Sequence, residues 1–327
     1  MRLSKIIFFA LLFAFVNLVN AQTNWTGNVD SDWDDAGNWS AGIPDASDAV
    51  TIPDVTNDPV INIPGAVCGA LTIESSGLLT SNNGSNKLTA TSIDLQSGGQ
   101  ISITNGEVQS GNFTHAGVLT ITGGTLDING NYTSASSLRA NINGGTIELA
   151  GDWDGTAVPS ASPLNLFNPS GGTVFFNGGT QAISTHSSNN FHNLTIGGTT
   201  NTKTAGSDLV INGNLLISSG TLDMAADANT LDVAGNFTLS GVSFIPYGGT
   251  HDIAGNWDDS GSGNAGFAPS AGKIILSGGT TTTIATKSDN KFFNLEINKS
   301  SSSATCNSNI TVGGVLDFED GTLDIAA

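Results

Sequence analysis

A segment of this chain is written twice, about a hundred residues apart, and that duplication restricts the fold more than any other feature. Gly220-Thr221-Leu222-Asp223-Met224-Ala225 returns as Gly321-Thr322-Leu323-Asp324-Ile325-Ala326, and Asn193-Leu194-Thr195-Ile196 returns as Asn294-Leu295-Glu296-Ile297, both at an offset of 101. Upstream, Phe167-Asn168-Pro169-Ser170 matches Phe267-Ala268-Pro269-Ser270 at 100, and Gly151-Asp152-Trp153-Asp154 matches Gly255-Asn256-Trp257-Asp258 at 104. A unit that recurs with small slips in spacing is the mark of stacked structural turns, which is how an elongated solenoid grows. The first copy runs on through Asn229 to Phe237, whereas the second breaks off at Ala327, so the sequence is expected to be a fragment.

Within the repeat, runs such as Leu119-Thr120-Ile121, Leu126-Asp127-Ile128, Ile147-Glu148-Leu149 and Leu231-Asp232-Val233 alternate apolar and polar residues. In a strand that alternation turns the apolar pair to one side and the middle residue to the other, so these read as short half-buried strands. Paired glycines at 98–99, 123–124, 144–145, 171–172, 197–198 and 248–249 punctuate them, and glycine turns the chain sharply without steric cost. The reading is all-β: a right-handed parallel β-helix of about 12–15 coils and about 60–70 Å in length. The alternative is a tandem array of β-sandwich domains, because a unit of 101 residues is also the size of one immunoglobulin-like domain. Against the array, the Gly-Gly signals recur at about a quarter of that unit, and no Cys–Trp–Cys pattern is present.

Three segments are expected. Residues 1–21 read as a secretory signal, with Arg2 and Lys5 at its start, an apolar run from Ile6 to Val16 too short to span a bilayer, and Val19-Asn20-Ala21 as the cleavage site. Residues 22–66 read as an amino-terminal cap, and 67–327 as the β-helix, holding repeat copies at about 151–254 and 255–327, the second incomplete. The formal charge is −19, and loss of two of the nine basic residues with the signal and none of the 28 acids makes it −21. Nucleic acid and anionic membrane surfaces both need a positive field, so neither is expected as a partner. Two cysteines, Cys68 and Cys306, are too few for a disulfide framework and too far apart on a rod to bridge, so both are expected to be buried thiols.

The cap segment concentrates Trp25, Trp33 and Trp39 with Pro44, Pro53, Pro59 and Pro64. A solenoid end exposes unpaired strand edges, and a bulky, proline-stiffened segment laid over it blocks association. A second reading is open: the three indoles are candidate glycan-stacking residues, since an aromatic face covers the apolar face of a pyranose. Asp30, Asp32 and Asp34 alternate in a turn-like segment followed by Asp35 and Gly37, which makes them candidate calcium ligands. Glycine is absent from the sixth position of that loop and Ala41 stands where the twelfth-position glutamate would be, so solvated acidic turns are the competing reading. No other cofactor is expected.

The stretch Trp25-Thr26-Gly27, Trp33, Gly37-Asn38-Trp39-Ser40, Gly42-Ile43-Pro44 and Asp48-Ala49-Val50-Thr51-Ile52-Pro53 resembles the opening of large repetitive bacterial surface proteins exported by the type IX pathway. Gly172-Thr173-Val174-Phe175-Phe176-Asn177-Gly178, Gln181-Ala182-Ile183 and Phe191-His192-Asn193-Leu194-Thr195-Ile196 are similar to the repeats of those proteins. The resemblance implies a secreted or outer-cell-surface, adhesin-like protein with a pectin-lyase-like β-helix. Such proteins normally end in a sorting domain, which the sequence lacks, in keeping with a fragment.

An enzyme on this fold needs clustered carboxylates and, as a rule, a basic residue on the same face. Arg139 is the only arginine after the signal, the lysines are scattered, and the four histidines show no ligand-type spacing beyond His186 and His192. The expected function is therefore non-catalytic: a stalk or adhesion surface contacting extracellular polysaccharide or a host or neighbouring cell. The alternative is a polysaccharide lyase or glycoside hydrolase of the pectin-lyase-like class.

Overall fold

The computed structural model describes residues 22–157 and 166–325. The expected signal, 1–21, lies outside the described residues. All the strands join one parallel sheet that winds into a β-solenoid of about 13 turns, which at strand spacing amounts to roughly 60 Å. Among the described residues the single helical segment is a 3-10 turn at Ala36–Asn38, and no helix is long and apolar enough to cross a membrane. The β-sandwich alternative is set aside: its sheets would be antiparallel, and every strand-to-strand ladder here is parallel.

Three ladders run along the stack. One passes through Val50, Leu71, Ile93, Phe113, Tyr132, Trp153 and Ile183. The second passes through Leu88, Val108, Leu126, Ile147, Val174, Leu194, Leu215, Phe237 and Trp257. The third holds Leu79, Ile101, Leu119 and Ala140 and, farther along, Leu209, Leu231, His251, Ile274 and Leu295, with Phe191 bridging Ile211 of the same strand as Leu209. The strands read as Leu-Asp-Ile from the sequence show the buried–half-buried–buried pattern that the alternation predicts, as at Thr125–Ile128 and Thr146–Leu149. Stacking places like on like, so the interior is a continuous aliphatic and aromatic column in which each large side chain contributes about 1.5–3 kcal/mol by leaving water. Strands also exceed the expected length of about five residues: Leu78–Leu95 and Gln100–His115 each run through bends, with register shifts around Asn82, and contribute a rung to all three ladders in turn.

The duplicated unit is not a whole number of coils. Trp153 lies on the first ladder and its mate Trp257 on the second; Leu194 lies on the second and its mate Leu295 on the third. Successive copies are therefore turned by one face about the axis. Asp223 and Asp324, matched in sequence, fall on different ladders and form no acidic row.

The glycines answer to two constraints rather than one. Gly124 has a φ of 69°, the left-handed turn conformation that the pairs suggested. Gly235 has no such φ, yet a Cβ there would stand 2.5 Å from Gly213 O and 2.6 Å from Asn214 Oδ1 of the coil before. Close approach between coils, not turning, excludes a side chain at that position.

Segment 22–66 is built into the stack. Gln22–Asn24 pairs with Ala49–Ile52, which pairs in turn with the strand at 71–73, so the capping residues are the first rungs of the same ladder. Cys68 and Cys306 are both free and buried, and burial pushes the Cys68 thiol up to about 12.

Candidate functional site

The three cap tryptophans form a cluster, but a closed one. Trp39 packs edge-on against Trp25 and Trp33 with ring centroids 4.9 and 4.7 Å apart, and the three side chains are only 0–5% exposed. Trp25 Nε1 donates to Asn57 O at 2.6 Å and Trp39 Nε1 to Trp33 O at 2.8 Å. Their ring faces are occupied by one another and by the first coil, which leaves no open indole for a pyranose. They are the core of the cap.

Of Asp30, Asp32 and Asp34, only Asp30 turns its carboxylate onto the turn itself. Asp30 Oδ1 accepts from Asp32 N–H at 2.9 Å and from Asn38 Nδ2 at 2.7 Å, bonds that hold its carboxyl below the usual range. Asp34 Oδ1 instead accepts from Asn62 Nδ2 at 2.6 Å, in the next segment. Partial burial and the neighbouring charges of Asp30, Asp34 and Asp35 push Asp32 up. Among the described residues no three His, Cys, Asp or Glu side chains come together as a metal-holding group. Arg139 sits in the strand Arg139–Ile142 and forms no ion pair with a described carboxylate; the two ion pairs found are Lys87–Glu107 and Lys273–Glu296.

Two amide ladders run up the rod, one at the corner before the first sheet ladder and one at the corner before the second, and their residues were not singled out from the sequence. Asn112 Oδ1 accepts from Asn131 N–H at 2.9 Å, and Asn131 Oδ1 from Asp152 N–H at 2.9 Å. Asp152 Oδ1 accepts from Ala182 N–H at 2.8 Å. At the other corner, beside the second sheet ladder, a separate series runs from Asn193 to Asn214, Asn214 to Asn236 and Asn236 to Asn256, each at 2.8–2.9 Å. Each side chain thus holds the backbone of the following coil at a corner where the sheet ladder is interrupted. The signal was present as Gly-Asn or Gly-Asp before an aromatic or leucine: Gly130-Asn131-Tyr132, Gly151-Asp152-Trp153, Gly213-Asn214-Leu215, Gly235-Asn236-Phe237 and Gly255-Asn256-Trp257.

Some polar groups inside the column find partners individually, while others, such as Trp153 Nε1 and Thr282 Oγ1, have none. His115 is fully buried, with Nδ1 2.9 Å from Tyr132 Oη and Nε2 3.2 Å from Arg139 O; the carbonyl can only accept, so the ring is neutral with its proton on Nε2. Desolvation lowers its pKa to about 4. Lys203 Nζ donates to Gly178 O at 2.9 Å, Gly197 O at 3.1 Å and Thr199 Oγ1 at 3.1 Å, and burial holds it below the usual lysine range. These contacts tie corners together and show no reactive pairing.

A surface hollow lies elsewhere, at the corner where residues 243–248 pass over 265–271. Its volume is about 470 Å³, and Asp227, Tyr247 and Pro269 stand on its lining. Tyr247 is 39% exposed and Ile245 beside it 38%. None of these was a candidate in the sequence, since the hollow exists only once three separate corners are stacked.

Fold and surface together define a parallel β-solenoid with a hollow on its side. The family described as a domain of unknown function (DUF8693) matches residues 24–149, which span the cap and the first coils. No curated protein and no solved structure matches the chain.

Proposed function

We propose that this protein is a non-catalytic β-solenoid exported to the cell surface, where it acts as a stalk and adhesion surface that contacts glycans. The observation that carries the reading is the single unbroken stack: one parallel sheet of about 13 turns, with the aliphatic column inside and half-exposed Thr, Ser, Asn and Asp outside. A rigid rod with a hydroxyl- and amide-rich surface suits extended, low-charge contact with a polysaccharide, and its charge of −19 keeps it soluble and away from anionic partners. The resemblance of residues 25–53 to the openings of type IX surface proteins supports the same location and export class. The carboxylates and amides with resolved partners serve the corners, which supports a structural assignment of those groups.

The test has two arms. Antibody labelling of intact source cells is expected to decorate the surface, and a purified chain of residues 22–325 is expected to bind members of a glycan array without cleaving them. Labelling that needs permeabilised cells would refute the location. Release of unsaturated or reducing sugar ends from pectin-type polysaccharide would refute the non-catalytic reading in favour of the lyase or hydrolase class.

A further inference from the structure

Comparison of the two repeat copies singles out one corner. Gly144-Gly145-Thr146-Ile147-Glu148-Leu149-Ala150-Gly151-Asp152-Trp153 corresponds position for position to Gly248-Gly249-Thr250-His251-Asp252-Ile253-Ala254-Gly255-Asn256-Trp257. Immediately before it the two stretches part: Ile142-Asn143 ahead of the first becomes Pro246-Tyr247 ahead of the second, and Ile147 becomes His251. The consequence is spatial. At the earlier corner Ile142 is buried and the surface lined by Ile142, Pro169 and Gly171 has no room for a water molecule. At the later one, at the junction of the two copies, the corner opens into the hollow of about 470 Å³, within the size range of small-ligand sites.

The residues that differ shape that hollow. Tyr247 is held at a φ of 53°, a conformation a bulky residue adopts only where its surroundings impose it. Asp227 Oδ1 accepts from Gly248 N–H at 2.8 Å and fixes the loop. His251, buried beneath, receives the Leu231 N–H on Nδ1 at 3.1 Å and lies 2.9 Å from Pro246 O through Nε2, so it anchors the same turn from inside. The ring of Tyr247 stays exposed at the rim. The ionisable lining is Asp227 and Tyr247, no basic residue contributes, and the Asp223 carboxylate lies close enough to the phenol to raise its pKa.

We propose that this hollow is a carbohydrate subsite for a pyranose without negative charge, with Tyr247 as the stacking face and the Asp227 carboxylate as acceptor for sugar hydroxyl or amino groups. The chemistry follows from the lining. An exposed phenol ring offers apolar area and a polar edge at small entropic cost, and it suits the C–H face of a hexose. Carboxylates accept short charge-assisted hydrogen bonds from hydroxyl and ammonium groups, while the absence of a lining cation disfavours uronates and sulfated sugars. The site deepens the glycan-contacting reading of the whole rod and rests on it. Because the corner before the first copy lacks the hollow, of these two matched corners only the one at the junction of the two copies carries a subsite.

The experiment titrates purified residues 22–325 with cellotetraose, the glucosamine tetramer and tetragalacturonate, following amide chemical shifts and heat. Saturable binding of the glucosamine tetramer and cellotetraose is expected, with tetragalacturonate at least tenfold weaker. Tyr247→Ala is expected to weaken binding at least tenfold, and Tyr247→Phe to keep it within about threefold, since the ring does the stacking. A variant that restores the earlier corner's residues, Pro246→Ile with Tyr247→Asn, closes the hollow and is expected to abolish binding while the circular dichroism spectrum stays that of the parent. Unchanged affinity in folded Tyr247→Ala, preference for the uronate, or no binding to any of the three would overturn the subsite. Glycan-array binding by the whole rod that survives Tyr247→Ala would sink the subsite yet leave the general adhesion reading standing; a parent protein that binds neither the array nor any of the three oligosaccharides would sink both.

Discussion

His115 offers a sharp check on the packing inside the column, because its environment converts directly into a pH dependence. Its ring is sealed from water between Tyr132 Oη and Arg139 O, and its pKa falls from 6.5 in the unfolded chain to about 4 in the fold. A base whose folded pKa is depressed stabilises the fold fully above the unfolded value, and that contribution is lost as pH falls from about 6.5 toward about 4. With 1.36 kcal/mol for each unit of displacement, the loss is about 2 kcal/mol at pH 5 and about 3 kcal/mol near pH 4. The perturbation is His115→Gln, which keeps a donor and an acceptor but does not titrate. Urea unfolding at pH 7 and pH 5, followed by tryptophan fluorescence, measures the difference between parent and variant at each pH. Acids and the other buried histidine, His251, are common to both proteins and cancel. The parent's stability advantage over His115→Gln is therefore expected to shrink by about 2 kcal/mol from pH 7 to pH 5. An advantage that does not change with pH would show that His115 is solvated or charged in the fold, and the sealed column around Tyr132 would be wrong.

Three further perturbations test other parts of the account. Gly235→Ala places a Cβ 2.5 Å from Gly213 O and is expected to destabilise the chain by about 2 kcal/mol or more, whereas Gly65→Ala, with nothing within 4 Å, is expected to be near neutral; a pair of equal urea midpoints would contradict the close approach of coils. Trp257→Ala removes a fully buried ring stacked 4.2 Å from Phe237, and calorimetry should register a loss of about 3–5 kcal/mol. Asn214→Ala takes away the acceptor of Asn236 N–H and should cost about 1 kcal/mol, with faster hydrogen exchange at that amide as the direct readout.

How far the sequence reached depended on whether a feature was local. The period-2 alternation at Leu126-Asp127-Ile128 and the stacked repeat are local and linear, and they were enough to anticipate a parallel solenoid rather than sandwiches. The one-face rotation between copies was not legible, because it depends on which strand pairs with which, and the register of Trp257 against Phe237 cannot be counted from spacing alone. The cap tryptophans show the limit most plainly. Trp25, Trp33 and Trp39 have the same identity whether their faces are open or closed, and only packing shows that they close on each other. Tyr247, by contrast, drew no notice as a single tyrosine in a Gly-rich turn, and its exposure follows from Pro246, Asp227 and Pro269 meeting across three coils. The Gly-Asn-aromatic motif could have been read, since it recurs at the coil period, but its hydrogen-bonding role required the stack.

The most direct test of the central claim is a set of spin-label distances along the second ladder. Gln109, Thr195, Thr238 and Asp258 lie on it at half-buried positions of successive coils, linked through Asp127, Glu148, Phe175 and Leu216. With Cys68 and Cys306 replaced by alanine, paired labels should give backbone separations of about 19 Å for 109–195, about 29 Å for 109–238 and about 34 Å for 109–258, a straight line in coil number. A 109–258 distance no longer than 109–195 would mean that the coils do not advance along one axis, and the rod, its column and its lateral subsite would all be wrong.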